Sequence, residues 1–352
     1  MQRNQSIIRF GKTSELFSLI PSEKAIFVTT ETLYRQSLEM FSESGLNAKE
    51  ELHWIRVPDG EACKNFSVLE NICRYMIDFD ANPDTILVAI GGGSLSDLVG
   101  LAAHLWMRGI ELVLVPTTLL AMIDASIGGK NAIDIGTTKN LIGSFHLPNL
   151  ILCDVRWLET LPSRNLLSGM AEAIKHAAID SEEHFLFLEE IINSGKSLTQ
   201  IQAELWEELV RRSQQVKIRY VDADPYDNHL RHALNYGHTF GHAIELITGI
   251  PHGFAVATGI GMANALAVSL GVLDPDIAAR IDLLLRNLGL PTNIKEASAI
   301  AGYNISPSTI CDLIRADKKR RGESIDFALL SKIGNVRIEP IAIKYVVEFL
   351  NA

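Results

Sequence analysis

Cysteine is scarce in this sequence of 352 residues: there are four, Cys63, Cys73, Cys153 and Cys311, and no two form a CxxC pair. Their spacing suits neither a zinc ribbon nor a disulfide framework and predicts free thiols kept reduced in a cytoplasmic setting. Long apolar runs are missing as well. None approaches the ~20 residues that span a bilayer, and the opening MQRNQSIIRFGK lacks the apolar core of a secretory signal. Positive charge is in deficit, with 32 Lys and Arg against 42 Asp and Glu and a net charge of −10. That balance argues against nucleic acid or an acidic membrane as a partner. An anionic small molecule would have to be met by cations gathered locally. Internal repeats and low-complexity tracts are also absent.

Hydrophobic residues make up 47% and charged residues 21%, a globular composition, and the length allows two domains with substantial cores. Short apolar or β-branched runs, KAIFVTT (24–30), ELHWIRV (51–57), TILVAI (85–90), ELVLVP (111–116) and LILCD (150–154), predict strands. Helical patterns lie between several of them, as in FSVLENICRYMIDF (66–79) and DLVGLAAHLWM (97–107). Such alternation implies a parallel sheet covered by helices. Further on, helical patterns dominate, at 164–180, 203–221, 232–248, 253–271 and 276–288, with a strand-like IDFALL at 325–330. The expectation is an α/β domain over residues 1–155 and a mostly α-helical domain over 156–352, divided near the LETLPSR turn at Pro162.

TILVAI runs into GGGSLSD and then a helix. Gly91, Gly92 and Gly93 fall where the strand turns into the helix N-terminus, so backbone N–H groups can approach a phosphate and the helix dipole adds attraction. Asp97, in the first turn of that helix, could reach a ribose or amide of a dinucleotide, or simply complement the dipole. Many strand-to-helix turns are glycine-rich, and this one is not GxGxxG, so an ordinary dinucleotide dehydrogenase is not the natural match. A second element, VPTTLLAMIDASIGGKNA (115–132), sets Thr117 and Thr118 just beyond a strand end, where ligands of α/β sheets gather. It then offers Asp124 and a Gly128-Gly129-Lys130 segment that suits an anion. A capped helix followed by a solvated loop is the plainer alternative.

HTFGH carries His238 and His242 at i and i+4, so two imidazoles share one helical face. His252 follows in PHG at the start of the next helix. Imidazole ligates Zn²⁺ and related ions, and a catalytic site needs about three protein ligands with a position left open. Glu172, in GMAEAIKH, is the carboxylate that suits this set, with Lys175 one turn away on its face. Three histidines within 15 residues favour a metal over ordinary core histidines. His104, His146, His176, His229 and His232 lack such a setting. No Glu follows His238, so this is not the HExxH helix of zinc proteases. Lys130, Lys139, Lys175, Lys217, Arg231 and the DKKRR run at 317–321 stand close to these motifs. Each alone reads as a solvated charge; together they suggest a pocket for a multiply anionic ligand. The DKKRR run reads either as an exposed loop or as a lid over phosphate.

In chain order, GEACK, GGGSLSD, RGIELVLVPTTLLAMIDASIGGK, TKNLIGSF, LETLPSR, SGMAEAIKHA, LRHALNYGHTFGHAIE, PHGFAVATG and RADKKRRG resemble the motifs of the 3-dehydroquinate synthase family, within the sugar-phosphate cyclase superfamily. The resemblance runs from about residue 57 to 322. It implies a Rossmann-like, parallel-sheet NAD-binding domain and a C-terminal, mostly α-helical domain for metal and substrate. The implied chemistry is that of a carbon–oxygen lyase of the shikimate pathway. A secondary hydroxyl of 3-deoxy-D-arabino-heptulosonate 7-phosphate is oxidised with NAD, phosphate leaves by β-elimination, the hydride returns, and an aldol step closes the ring to 3-dehydroquinate. NAD is regenerated each turn.

By matching positions, Glu172, His238 and His252 resemble the ligands of a divalent metal, Zn²⁺ or Co²⁺. Glu61, Lys64, Gly92, Gly93, Asp97, Thr117, Thr118, Lys130, Lys139 and Thr160 resemble NAD contacts. Asp124, Lys130, Asn140, Lys175, Asn235 and His242 resemble substrate and catalytic positions, which makes His242 a substrate contact rather than a fourth ligand. Lys217 and Arg231 resemble cations for the substrate's carboxylate end, and Lys318 or Lys319 a phosphate contact. Arg108 resembles a residue that reaches a neighbouring subunit's site, which implies a homodimer.

Several stretches depart from the family pattern. His252-Gly253-Phe254 replaces HGE, DIGTTKN replaces NHPxGKN, and Asp224-Pro225-Tyr226-Asp227 replaces DExE. Thr30 stands where an acidic residue meets the adenosine ribose, and LPxRE reads LPSRN. The metal and hydride residues are untouched; the changes bear on the substrate. Three alternatives stay open: a sister cyclase acting on sedoheptulose 7-phosphate or glucose 6-phosphate, a metal-dependent alcohol dehydrogenase of the glycerol dehydrogenase kind that releases NADH, and a catalytically silent nucleotide-binding scaffold. Arg231 separates the leading reading from the sister cyclases, because only the heptulosonate carries a carboxylate. The bland alternative for Arg231 is a surface pair with Asp227.

Overall fold

The computed structural model describes residues 5–45, 47–136, 138–316 and 320–351. The chain divides into two compact units, Met1–Leu161 and Pro162–Ala352. The strands of the first unit are β1 (Ile7–Phe10), β2 (Ala25–Thr30), β3 (His53–Val57), β4 (Ile86–Gly91), β5 (Glu111–Pro116), β6 (Lys130–Ile135), β7 (Thr138–Phe145) and β8 (Leu150–Cys153). Six of them form one sheet in the order β1-β8-β5-β4-β2-β3, with every pairing parallel. Each residue of β2 and β4 is buried. A sheet covered by helices on both faces selects such unbroken apolar and β-branched runs.

Chain order and sheet order together fix where a ligand is expected. From β2 the chain passes outward to its neighbour β3, whereas from β4 it passes the opposite way to β5. The adjacent strands β2 and β4 therefore flank a topological switch point, and the crevice beyond their C-terminal ends is the usual binding place of an open α/β sheet. The glycine run lies there, between β4 and the helix Gly93–Leu105.

The five predicted strands are present as β2, β3, β4, β5 and β8. Two features escaped the sequence pattern. β1 is a four-residue strand that alternates exposed and half-buried positions, too short to register as periodic. The segment beyond Lys130, where no strand was expected, is a two-stranded antiparallel hairpin of β6 and β7. Nearly all of β7 is exposed, including Leu141, Ile142 and Phe145, so no buried face marks its register.

The second unit is built of the helices Ser163–Asp180, Glu182–Asn193, Ala203–Ala223, His238–Thr248, His252–Ser269, Pro275–Asn287, Ile294–Ala301, Pro307–Ala316 and Ile343–Asn351. A small antiparallel sheet of β9 (Arg320–Arg321), β10 (Ser324–Lys332) and β11 (Asn335–Ala342) joins them. His252–Ser269 is apolar and buried on almost every face, the mark of a central helix. It packs against His238–Thr248, Ser163–Asp180 and Pro275–Asn287.

The continuous helix expected over 232–248 is a correction. A 3₁₀ segment, Leu230–Asn235, stops short of it, and Gly237 turns the chain at φ +80° before His238 opens the α-helix. A Cβ on Gly237 would lie 2.6 Å from Ile260 Cγ1 and 3.0 Å from both Ile260 N and Val256 O. The close approach of the central helix thus excludes any other residue at the break. Among the described residues no helix is long and apolar enough to cross a membrane.

Candidate functional site

In the first unit the site residues gather at the end of β4. Gly92 caps the helix that Gly93 begins. A Cβ on Gly93 would come 2.9 Å from the Cβ of Ala125, and one on Gly92 would come 3.2 Å from Thr118 Cγ2, so the turn nests against that wall only as bare backbone. The Thr117 amide donates to Gly91 O at 3.0 Å, and Thr118 Oγ1 accepts from the Ala121 amide at 3.1 Å. The wall is thereby fixed to the loop. A helix N-terminus, whose first amides lack intrahelical acceptors, behind a side-chain-free turn fits a pyrophosphate.

Beside this loop one buried ammonium joins three segments. Lys64 Nζ donates to Asp97 Oδ2 at 2.7 Å and to Asn140 Oδ1 at 2.5 Å. Asn140 takes φ +52°, and its amide donates to Asp134 Oδ1 at 2.7 Å. The Asp134 amide donates in turn to the Lys64 carbonyl at 2.8 Å. Burial pushes the Asp97 carboxyl up to about 6 against the pull of Lys64. Burial also works against the Lys64 charge, but Asp97 outweighs it and holds the ammonium above its ordinary range. Glu61 accepts from the Ser94 hydroxyl in the first turn of the glycine-loop helix, and Lys139 Nζ lies 3.9 Å from Glu61 Oε2.

The other expected residues of this unit are distributed around the same sheet. Lys130 is exposed at the start of β6, and Asp124 is half-buried in the π-helical turn Ala121–Ala125. Thr160 accepts a 2.5 Å bond from Gln36 Nε2, just after β2. Thr30 is buried at the end of β2, with its hydroxyl 3.4 Å from that of Thr32. Thr32 donates to Asp59 Oδ1 at 2.5 Å. A carboxylate therefore does reach this strand end, from a position the sequence did not single out. Arg108 is exposed in a turn where Met107 and Arg108 adopt φ of +47° and +70°.

In the second unit the metal-type residues converge. Donor atoms of Glu172, His238 and His252 all lie within 4.8 Å of one another. Glu172 comes from the helix Ser163–Asp180 and the histidines from the first positions of two consecutive helices. Both imidazoles turn Nε2 toward one oxygen, Glu172 Oε1, at 3.4 Å from His238 and 3.2 Å from His252. Their Nδ1 atoms face acceptors, the Tyr236 carbonyl at 3.3 Å and Glu245 Oε2 at 2.9 Å. Lys175 pairs with Glu172 Oε2.

Both Glu172 and Lys175 are fully buried. Burial alone would raise the Glu172 carboxyl, yet Lys175 and the two histidines hold it well below the ordinary carboxylate range. Burial, then Lys175, drives His238 well below the usual imidazole value. For His252 the hydrogen bonds to Glu172 and Glu245 outweigh burial and hold the ring up to about 10. One carboxylate and two imidazoles on helix ends form a donor set suited to a divalent transition ion.

Arg231 is buried, which removes the surface reading; its Nη1 donates to the Pro225 carbonyl at 3.2 Å. The Asp224 carboxylate holds the loop beneath it, accepting from the amides of Asn228 at 2.9 Å, His229 at 2.6 Å and Arg231 at 3.2 Å. The helix Ala203–Ala223, which carries half-buried Lys217, packs against the 3₁₀ segment bearing Arg231 and Asn235. His242 is exposed, with its ring centroid 5.1 Å from that of His238. Phe254, at the departure from the family pattern, is buried with the Arg164 guanidinium 5.9 Å from its ring centroid. Lys318 and Lys319 lie outside the described residues.

Two solved structures share this two-unit build. 2-Deoxy-scyllo-inosose synthase complexed with carbaglucose-6-phosphate, NAD⁺ and Co²⁺ superposes with a TM-score of 0.83 at 26% identity, over 97% of this chain and 95% of that one. The 2-epi-5-epi-valiolone synthase of Streptomyces hygroscopicus, with NAD⁺ and Zn²⁺ bound, reaches a TM-score of 0.86 at 24% identity, over 100% and 97%. The fold is that of the sugar-phosphate cyclases. The family model described as 3-dehydroquinate synthase N-terminal matches residues 54–168, and that described as 3-dehydroquinate synthase C-terminal matches 169–320. The 3-dehydroquinate synthase of Pyrobaculum islandicum is 40% identical over 289 residues, 82% of this chain and 81% of that protein. That of Geotalea uraniireducens is 37% identical over 323 residues, 91% and 87%. The chain belongs to the 3-dehydroquinate synthase family.

Four residues with evident roles here were not anticipated: Asp59, Asp134, Asp224 and Glu245. Glu245 carries a legible signal, since it stands at i+7 from His238, two turns along the same helix. The three aspartates sit in loops or strands, where spacing says nothing about what their carboxylates meet.

Proposed function

We propose that this chain is a 3-dehydroquinate synthase, a carbon–oxygen lyase that converts 3-deoxy-D-arabino-heptulosonate 7-phosphate to 3-dehydroquinate and phosphate. The observation that carries the reading is the convergence of Glu172, His238 and His252 on one point, with Lys175 locked to Glu172, in a chain of this family. Glu172, His238 and His252 would hold the ion, for which Zn²⁺ is the first choice and Co²⁺ a substitute. The turn at Gly92 and Gly93 would take the pyrophosphate of NAD. Glu61, Lys64, Asp97, Thr117, Thr118, Lys130, Lys139 and Thr160 would orient the rest of the nucleotide. When bound, NAD supplies a reversible hydride acceptor and the ion a Lewis acid for the reacting oxygens.

The chain's own residues do the remaining work in this reading. Lys175 sets a buried ammonium against Glu172, where it can hold a proton or meet negative charge. Asp124, Lys130, Asn140, Asn235 and His242 are assigned to the substrate, and Lys318 to its phosphate. Arg231, buried and fixed by its loop, suits the substrate's carboxylate together with Lys217. The chain acts as a homodimer in the cytoplasm, with exposed Arg108 reaching into its partner. A second reading, a sister cyclase for a neutral-headed sugar phosphate, draws support from the likeness to 2-deoxy-scyllo-inosose synthase and from the departures at Phe254, DIGTTKN and Asp224–Asp227. Incubation with the heptulosonate phosphate, with phosphate release, product identity and absorbance at the NADH band followed together, tests the assignment. Dehydroquinate and phosphate should form in step without net NADH. Failure on this substrate with turnover of sedoheptulose 7-phosphate or glucose 6-phosphate selects the second reading, and NADH rising with product selects a dehydrogenase.

A further inference from the structure

The two histidines of the metal-type trio are backed by different partners. His238 Nδ1 faces a neutral backbone carbonyl at 3.3 Å, while His252 Nδ1 faces the Glu245 carboxylate at 2.9 Å. We propose that Glu245 is the positioning residue of this centre: it fixes the ring and tautomer of His252 and thereby sets much of the affinity for the divalent ion. The proposal rests on the reading of Glu172, His238 and His252 as ligands.

An ionised carboxylate only accepts hydrogen bonds, so Nδ1 of His252 carries the proton shared with Glu245. Nε2, the atom 3.2 Å from Glu172 Oε1, is then the one nitrogen whose lone pair a bound ion would take, in place of a proton. Both histidines open their helices, where one neighbouring turn is missing, but they differ in exposure. The His252 side chain is 30% exposed, against 11% for His238. The ring that packing holds least is therefore the one given the shorter, charged bond. Glu245 is itself anchored near the end of the helix His238–Thr248, where its carbonyl accepts from the Gly249 amide at 2.8 Å. A carboxylate behind a ligating imidazole makes the ligand more basic and orients it, and its loss typically weakens metal binding by about 10–100-fold.

The test titrates metal-stripped full-length wild type, Glu245→Ala, Glu245→Gln and His238→Ala with Zn²⁺ against a chromogenic chelator, and records visible absorption of the Co²⁺-loaded forms. Glu245→Ala should bind Zn²⁺ about 10–100-fold more weakly and shift the Co²⁺ bands. Glu245→Gln, which keeps an acceptor without the charge, should lose less. Wild-type affinity and an unchanged Co²⁺ spectrum in both Glu245 variants, with binding abolished in His238→Ala, would overturn the role of Glu245 alone. Wild-type affinity in His238→Ala would instead overturn the ligand assignment beneath it. Should Glu245→Ala fail to fold, Glu245→Gln decides on the same two readouts.

Discussion

Three amides, from Asn228, His229 and Arg231, converge on the carboxylate of Asp224. Those of Asn228 and His229 lead in holding it down to about 2 from an ordinary 3.8. A carboxyl with a lowered folded-state pKa stabilises the protein in full above its unfolded value and loses that contribution as pH falls toward the folded one. In Asp224→Asn, the deficit in melting temperature relative to wild type should therefore be largest near neutral pH and shrink from pH 5 to pH 3, as calorimetry would record. A gap that widens toward acid would refute the account. Arg231, at the end of that loop, makes a separate prediction. Arg231→Ala should lower kcat/KM for the heptulosonate phosphate by roughly 100-fold, the scale of a lost charge-assisted hydrogen bond. Affinity for Zn²⁺ and NAD should hold. At this scale spacing flagged His238 and His242 on one helical face with His252 close behind, Glu172 was picked out by residue type, and the structure brings donor atoms of Glu172, His238 and His252 within 4.8 Å of one another. Asp224 and Asp59 were not legible, because a carboxylate that bonds to backbone or to a distant hydroxyl leaves no periodic trace.

Elements were readable in proportion to how fully they are buried. β2, β4 and β5 declare themselves as unbroken apolar runs because helices cover both faces. The β6–β7 hairpin does not, since β7 buries almost nothing. The helix expected over 232–248 failed for a different reason: apolar spacing continues through Tyr236 and Gly237 although the backbone breaks there. The cause lies on the partner helix, whose Val256 and Ile260 leave space only for a glycine. Gly237→Ala should thus cost roughly 2–5 kcal/mol, combining a left-handed alanine with a clash against backbone atoms that cannot yield. Urea denaturation measures the loss, and a stability within about 0.5 kcal/mol of wild type would show that the break tolerates a side chain.

For the molecule as a whole, the net charge of −10 coexists with buried Lys64, Lys175 and Arg231. Overall composition says nothing of these internal cations. The two-part build was legible because hydrophobic periodicity itself changes along the chain, from strand-and-helix alternation to helices. The trio's placement also has a consequence for the chain as a polymer. Glu172 and His238 stand 66 positions apart (238 − 172), and the helices Glu182–Asn193 and Ala203–Ala223 lie in the interval. An ion gripping both ends closes that stretch into a ring, as a reversible clasp. Folding then becomes a function of free metal: at a concentration 100 times its dissociation constant the clasp adds about 2.7 kcal/mol. Stripping the metal should lower the melting temperature and speed amide exchange most between residues 163 and 269, and restored Zn²⁺ should reverse both. On this view the supply of the divalent metal sets how long each copy lasts as well as how fast it works.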